Sequence, residues 1–167
     1  MDTLQSIPEE LAKALNASPI VDFFTEPARY INERGLRLMR EALDDFEANP
    51  GKHYQGDWYR RSSGRCCLVG NMALKAGATF VPNPEYDTAT SLFMVIPPAG
   101  GEPVFVSDFI REIAGMGRSD LAALSYSGNS LEDLEHMYAN LARGERPALT
   151  YASPACPCGC QGPADRG

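Results

Sequence analysis

The chain has 167 residues, a formal net charge of −7, 44% hydrophobic residues and 22% charged residues. This length suits one domain, and the composition is that of a globular protein with a hydrophobic core rather than of a disordered or collagen-like chain. The acidic balance opposes sequence-independent binding to a phosphate backbone, so we expect no nucleic acid partner.

The chain offers no segment that suits a membrane span or a secretory signal. Its longest strongly hydrophobic run, residues 92–96, is far shorter than the roughly 20 residues that cross a bilayer. The first residues lack the basic region and the apolar stretch of a signal peptide. We therefore expect no membrane partner, a cytoplasmic location and reduced cysteine thiols.

Helical patterns fill the first third of the chain. A capping-box pattern predicts a first helix within residues 6–18. A second helix is predicted over residues 25–48, where hydrophobic residues recur at three- and four-residue spacing, and the sequence Asn-Pro-Gly at 49–51 ends it. Gly35 inside this helix predicts either a close packing contact or a kink.

The middle of the chain changes character. Residues 53–59 are aromatic and polar, which predicts an extended arm. Residues 67–76 predict a short buried helix with Gly77 as its C-cap. Two β-branched and aromatic runs, at 92–96 and 104–106, predict a β-hairpin with a long turn.

Three further helices are predicted from their starting residues. Ser107 is expected to cap a helix over residues 108–114, and Ser119 to start a short helix. Ser130 and Asp133 have the spacing of a capping box and predict the start of the last helix.

Together these patterns predict a helix-dominated α+β fold. We expect one compact domain over residues 1–149, in which four to five short helices surround the central buried helix beside the small hairpin. Residues 150–167 are rich in Cys, Pro and Gly without periodicity, which predicts a flexible tail.

The predicted arm, taken as residues 54–65 for the candidate surface, lies in a basic island, since residues 51–80 contain five basic residues and one acidic residue. Interleaved aromatic and basic side chains are typical of a stacking platform with a phosphate contact. The alternative, which we favour, is a tryptophan that anchors the arm to the helices beside solvated arginines. We predict a binding surface formed by the arm and the loop around 127–129, and its residues are Tyr54, Gln55, Trp58, Arg60, Arg61, Arg65 and Asn129. Asn129 is also expected to cap the last helix by accepting a hydrogen bond.

Cys66 and Cys67 lie at the predicted start of the buried helix. The helix N-terminus and Arg65 would lower a thiol pKa there and create a nucleophile, for which His53 or His136 would be the base. The alternative is that the thiols are small buried hydrophobic groups, as their apolar neighbours suggest. We favour this second interpretation and commit to no catalytic residue, so that an enzyme remains the alternative.

Three cysteines lie close together in the predicted tail, at Cys156, Cys158 and Cys160. Three thiolates could bind zinc or copper(I), but the spacing differs from paired Cys-x-x-Cys zinc motifs. We therefore expect no cofactor, with zinc at these cysteines as the alternative.

The motif residues also occur in a recognisable order. The patterns are Gln-x-x-Trp, then Cys-x-x-Gly-x-x-Ala, then Asn-Ser-Leu-x-x-Leu, carried by Gln55, Trp58, Cys67, Gly70, Ala73 and residues 129–134. This order resembles a group of small uncharacterised proteins of actinobacteria and their phages over roughly residues 30–141. The chain departs from that pattern at two positions. It has Ser62 where the group often has a second Cys, and Asn71 where the group often has an aromatic residue.

The resemblance implies a fold and a phage or actinobacterial setting, but no reaction. We therefore expect a small accessory protein that binds a host or phage protein in the cytoplasm. The alternatives are a Cys-dependent enzyme that uses Cys67 or Cys66 with His53, and a metal-binding protein that uses the tail cysteines.

Overall fold

The computed structural model describes residues 30–88 and 90–147. Within these ranges the chain forms five α-helices and one three-stranded antiparallel sheet, so the predicted helix-dominated α+β fold is confirmed. The helix predicted within residues 6–18 and the tail predicted at 150–167 lie outside the described residues.

The elements follow one another along the chain with short connections. The helices are α1 (Glu33–Ala48), α2 (Leu68–Lys75), α3 (Val106–Ala114), α4 (Arg118–Ser125) and α5 (Leu131–Ala142), with a 3-10 helix at Pro50–Lys52. The strands are β1 (Thr79–Val81), β2 (Met94–Ile96) and β3 (Val104–Phe105). β2 lies between β1 and β3 and is antiparallel to both.

Helix α2 lies at the centre of the fold, as predicted. It contacts α1, α3 and α4, and its residues 68–73 are buried. Helix α1 contributes one face to the same core, and its buried residues are Gly35, Leu38, Met39, Ala42, Leu43 and Phe46. The three- and four-residue spacing of these positions is the reason that α1 is amphipathic.

Helix α1 begins at Glu33, so the start predicted at residue 25 is wrong. Asn32 is the N-cap, because its side chain accepts a hydrogen bond of 2.8 Å from the Gly35 N–H. The same amide donates to the carbonyl of Ile113 at 3.0 Å, which ties the start of α1 to the end of α3.

Gly35 marks a close packing contact, the first of the two predicted alternatives. A Cβ at this position would lie 2.5 Å from Ile31 Cγ1 and 2.6 Å from Ala114 Cβ. The glycine therefore lets α1 approach α3 more closely than any larger residue would allow.

The predicted hairpin is confirmed, but Ser107 does not cap the helix that follows it. Helix α3 begins at Val106 with Phe105 as its N-cap and no side-chain cap bond. The Val106 N–H instead donates to the carbonyl of Phe93 at 3.0 Å. The hairpin thus satisfies a backbone group at the start of the helix, which a capping side chain would otherwise do.

Ser119 likewise lies inside a helix rather than at its cap, since α4 begins at Arg118 with Gly117 as the N-cap. The prediction for the last helix is confirmed. Ser130 and Asp133 form a reciprocal capping box at the start of α5.

Candidate functional site

Gln55 holds the predicted arm in place across the start of α2. This side chain is only 7% exposed. Its Oε1 accepts a hydrogen bond from the Leu68 N–H at 3.3 Å, and its Nε2 donates to the carbonyl of Leu124 at 2.7 Å. One amide therefore joins the arm to the beginning of α2 and the end of α4.

The remaining motif residues secure the same crossing. The Cys67 N–H donates to the carbonyl of Asp57 at 2.8 Å, and the Cys67 thiol is the N-cap of α2, where it accepts from the Gly70 N–H at 3.4 Å. The backbone of Trp58 lies against Gly70 so closely that no side chain fits there. The Gln-x-x-Trp and Cys-x-x-Gly patterns therefore describe the two sides of one packed crossing.

The two central thiols are buried, which opposes nucleophilic chemistry. Burial raises the pKa of Cys66 to about 12 and that of Cys67 to about 11, although backbone N–H groups partly offset the effect at Cys67. The expected lowering of these pKa values by the helix N-terminus and Arg65 is therefore wrong. A thiol with so high a pKa is almost entirely protonated at neutral pH.

His53 is engaged with Gln55 rather than placed as a base for Cys67. Its Nε2 lies 3.1 Å from Gln55 Oε1. That oxygen already accepts a backbone N–H, while the amide nitrogen donates to a carbonyl, so His53 Nε2 must carry the proton. Burial lowers the pKa of His53, and its ring packs 4.8 Å from the ring of Phe46. His136 is 71% exposed on the surface of α5.

The aromatic and basic side chains of the arm stack on each other. The guanidinium carbons of Arg60 and Arg65 lie 4.6 Å and 5.2 Å from the centre of the Tyr54 ring. Arg61 is exposed and lies 3.6 Å from Asp87. These contacts oppose a stacking platform at Tyr54, because its ring is already occupied by the chain's own cations. Arg65 also donates to the carbonyl of His53 at 2.8 Å, so it is not one of the solvated arginines of the alternative.

Asn129 does not cap the last helix, contrary to prediction. Its Nδ2 donates to the carbonyls of Ala123 at 2.7 Å and Leu124 at 3.4 Å. An amide N–H can satisfy carbonyls at the end of a helix, so Asn129 closes α4, while Ser130 caps α5.

The arm and the loop of the predicted binding surface meet in one cleft, which we call the hydroxyl cleft. Its volume is about 390 Å³. One wall is the arm segment 55–58 with Cys67, and Phe93 contributes an apolar patch. Five hydroxyl side chains also line it: Thr88, Thr90, Ser91, Ser125 and Ser127. The other predicted binding residues do not line this cleft; they are Tyr54, Arg60, Arg61, Arg65 and Asn129.

A second cleft, which we call the arginine cleft, adjoins the first and also has a volume of about 390 Å³. The two clefts share Trp58 and Ser125. Helices α3 and α4 supply the polar lining of the arginine cleft, which consists of Ser107, Asp108, Arg111, Arg118 and Ser125. Its apolar lining includes Phe105 and Leu121. Trp58 is therefore a wall common to two cavities.

Exposed aromatic residues accompany both clefts. Among the described residues, the exposed large hydrophobic side chains are Tyr86, Phe105 and Tyr126, with exposures of 45%, 36% and 63%. Phe105 lines the arginine cleft, and Tyr86 packs edge-on against it at 4.8 Å. Tyr126 stands between two residues that line the hydroxyl cleft.

Sequence reasoning missed most of the lining of the arginine cleft. Arg111 and Arg118 belong to no motif, and the pattern around Phe105 predicts only a strand of the hairpin. Trp58 is distant in the chain from the other lining residues, which lie within residues 105–125 and share no spacing that marks a cleft. The sequence does not show that these two helices meet the arm there. The tail residues Cys156, Cys158 and Cys160 lie outside the described residues.

Neither a metal centre nor a relative identifies the site. In the part of the chain that the structure describes, no three His, Cys, Asp or Glu side chains are grouped to hold a metal ion, and no helix there is long and apolar enough to cross a bilayer. No family model, curated protein or solved structure matches the chain. The resemblance to actinobacterial and phage proteins therefore stays a prediction.

Proposed function

We propose that this protein acts in the cytoplasm by binding another protein, and that a short segment of the partner occupies the two clefts on either side of Trp58. The observation that carries this proposal is the shared wall. Two cavities that meet at one tryptophan can receive neighbouring side chains of a single segment.

The chemistry of the surface supports a protein partner. Tryptophan, tyrosine and arginine are the residues that most often dominate the energy of protein interfaces. Contiguous exposed apolar surface also marks interaction sites, and Tyr86 and Phe105 pack together beside the arginine cleft. Each cavity lies near the lower end of the volumes of ligand sites, roughly 300 to 1,000 Å³, which suits one or two side chains of a partner.

The two alternatives have less support. A Cys-dependent enzyme needs an accessible thiolate, whereas Cys66 and Cys67 are buried with raised pKa values. A metal-binding function would depend on the tail, outside the described residues. The origin of the partner, in a host or a phage, stays a prediction.

The chain contains a single tryptophan, so the fluorescence of Trp58 reports directly on both clefts. We suggest selecting binders from a displayed library of random linear peptides and titrating them while Trp58 emission is recorded. Selected peptides should shift the emission and should lose binding to Ser125→Phe, because the new ring would fill space in both clefts.

The matched control is Ser119→Phe, an exposed position on the same helix that lines neither cleft. This variant should bind the peptides as the wild type does. Peptides that bind Ser125→Phe and the wild type equally well would contradict the proposed function.

A further inference from the structure

We propose that the partner segment carries a single carboxylate side chain next to an apolar residue, and that the carboxylate binds Arg118 and Arg111 in the arginine cleft. This inference rests on the proposed function. It names the chemistry of the partner segment that one of the two clefts selects.

The charged lining of the arginine cleft leaves one positive charge without a counterion. Arg111 Nη1 donates to Asp108 Oδ1 at 3.2 Å, so these two charges offset each other. Arg118 is exposed and forms no ion pair within the described residues. The nearby carboxylate of Asp120 on the same helix lies 3.7 Å from Arg146 instead.

The unused N–H donors of Arg111 and Arg118 also favour an anionic ligand. Arg111 Nε is buried without a hydrogen-bond partner. The guanidinium of Arg118 is exposed and makes no hydrogen bond or ion pair within the described residues. A carboxylate can accept two parallel N–H bonds from a guanidinium group, which matches the fork of Arg118. The hydroxyl of Ser107 lines the same cleft and can donate a further bond, whereas that of Ser125 already donates to the carbonyl of Ala122 at 3.2 Å.

The charge balance limits the ligand to one carboxylate. The chain as a whole carries −7, so a run of acidic residues would be repelled before it reached the cleft. A phosphorylated side chain carries about −1.5 to −2 charges, more than the single net positive charge of the lining can neutralise. One Asp or Glu side chain matches this lining.

The apolar walls require an apolar neighbour. Trp58, Phe105 and Leu121 line the arginine cleft together with the arginines. A segment that placed only a carboxylate there would leave these surfaces in contact with water. An aromatic or aliphatic residue next to the acid would cover them and gain the free energy of burial.

The test uses the full chain and the selected peptides described above. Those that depend on Ser125 should be enriched in an Asp or Glu beside an aromatic or aliphatic residue. Arg118→Gln should weaken their binding about tenfold, because a partly desolvated ion pair is lost. Arg37→Gln, at an exposed arginine on α1, is the matched control and should leave the affinity unchanged.

A charge exchange separates direct contact from a structural effect. Arg118→Glu should reject the acidic peptide and accept the same peptide with its acid replaced by Lys. Restored binding in this pair would establish that position 118 faces the charged residue of the ligand. The unfolding midpoints of the variants should equal that of the wild type.

Three outcomes would overturn the inference. Ser125-dependent peptides without an acidic residue would refute the carboxylate and leave the proposed function intact. A phosphoserine version that binds more tightly than the Glu version would refute the limit to one negative charge. If no selected peptide depends on Ser125, the proposed function fails and this inference fails with it.

Discussion

The carbonyl oxygen of Trp58 occupies the space that a side chain at Gly70 would need. A Cβ on Gly70 would overlap this oxygen and would come 3.2 Å from the Cβ of Cys66. The backbone of the arm and the first turn of α2 are thus in direct contact. Because Trp58 is a wall of both clefts, this contact sets the position of the candidate site.

Gly70→Ala should therefore destabilise the protein by about 3 kcal/mol, since neither the helix nor the arm can yield easily. Urea denaturation would measure the loss. Gly51→Ala is the control, because a Cβ there meets no atom within 4 Å, and it should change the free energy of unfolding little. A Gly70→Ala protein as stable as Gly51→Ala would contradict the close contact.

Acid should weaken a partly buried ion cluster around Asp45. Burial by itself would raise the pKa of Asp45, but Lys52, Asn71 and Lys75 together lower it from 3.8 to about 2. Lys52 Nζ lies 2.6 Å and Lys75 Nζ 3.4 Å from Asp45 Oδ2. A lowered pKa means that the folded state binds the proton less readily than the unfolded state does.

Asp45 should hence contribute about 2 kcal/mol above its unfolded pKa, and this contribution should disappear as the pH falls from about 4 to about 2. We expect Asp45→Asn to be less stable than the wild type at neutral pH and to have nearly the same free energy of unfolding at about pH 2. Asp44→Asn, at a neighbouring exposed carboxylate, should show only a small difference at neutral pH. A constant gap between wild type and Asp45→Asn at every pH would rule out the proposed linkage.

Cys66 and Cys67 should react slowly with iodoacetamide in the native protein. Both are buried, and their raised pKa values leave little thiolate near neutral pH. The measurement needs a chain in which Cys156, Cys158 and Cys160 are replaced by Ser. Mass spectrometry would then follow the labelling of the two remaining cysteines over time. Labelling should accelerate strongly in denaturant. Equally fast labelling of the native protein would show that the thiols are accessible and would favour the Cys-dependent enzyme.

The two serines at predicted helix starts should respond differently to substitution. Ser130→Ala should cost about 1 kcal/mol, because it breaks the capping box of α5. Ser119→Ala should be neutral or slightly stabilising, since Ser119 lies inside α4 and alanine favours a helix. Thermal unfolding of the pair would show the contrast, and equal losses would contradict the observed helix starts.

Local signals predicted the elements whose ends are made by local bonds. The Asn-Pro-Gly stop of α1, the capping box of α5 and the hairpin all depend on residues a few positions apart. The starts of α1 and α3 instead involve distant partners, Ile113 and Phe93. Strand β1 has only three residues, too few to show a period of two, and its pairing with β2 follows from the tertiary fold.

Some residues of the candidate site could also be predicted from local patterns, and others could not. Gln55, Trp58, Cys67 and Gly70 stand in two short patterns close together in the chain, and the structure brings them to one crossing. The carbonyl partners of Asn129 were not, because an amide can donate or accept and the sequence does not show which neighbour lies in reach. Arg118 gave no signal, since a solvated arginine and a binding arginine look alike in a sequence.

The three bonds of Gln55 have a consequence for how the clefts can respond to a ligand. The amide that supports the arm also touches the start of α2 and the end of α4, so the wall cannot move without disturbing the protein interior. The clefts are therefore expected to keep one shape whether empty or filled. A bound segment must adapt to them, and the entropy lost on binding falls mainly on the ligand.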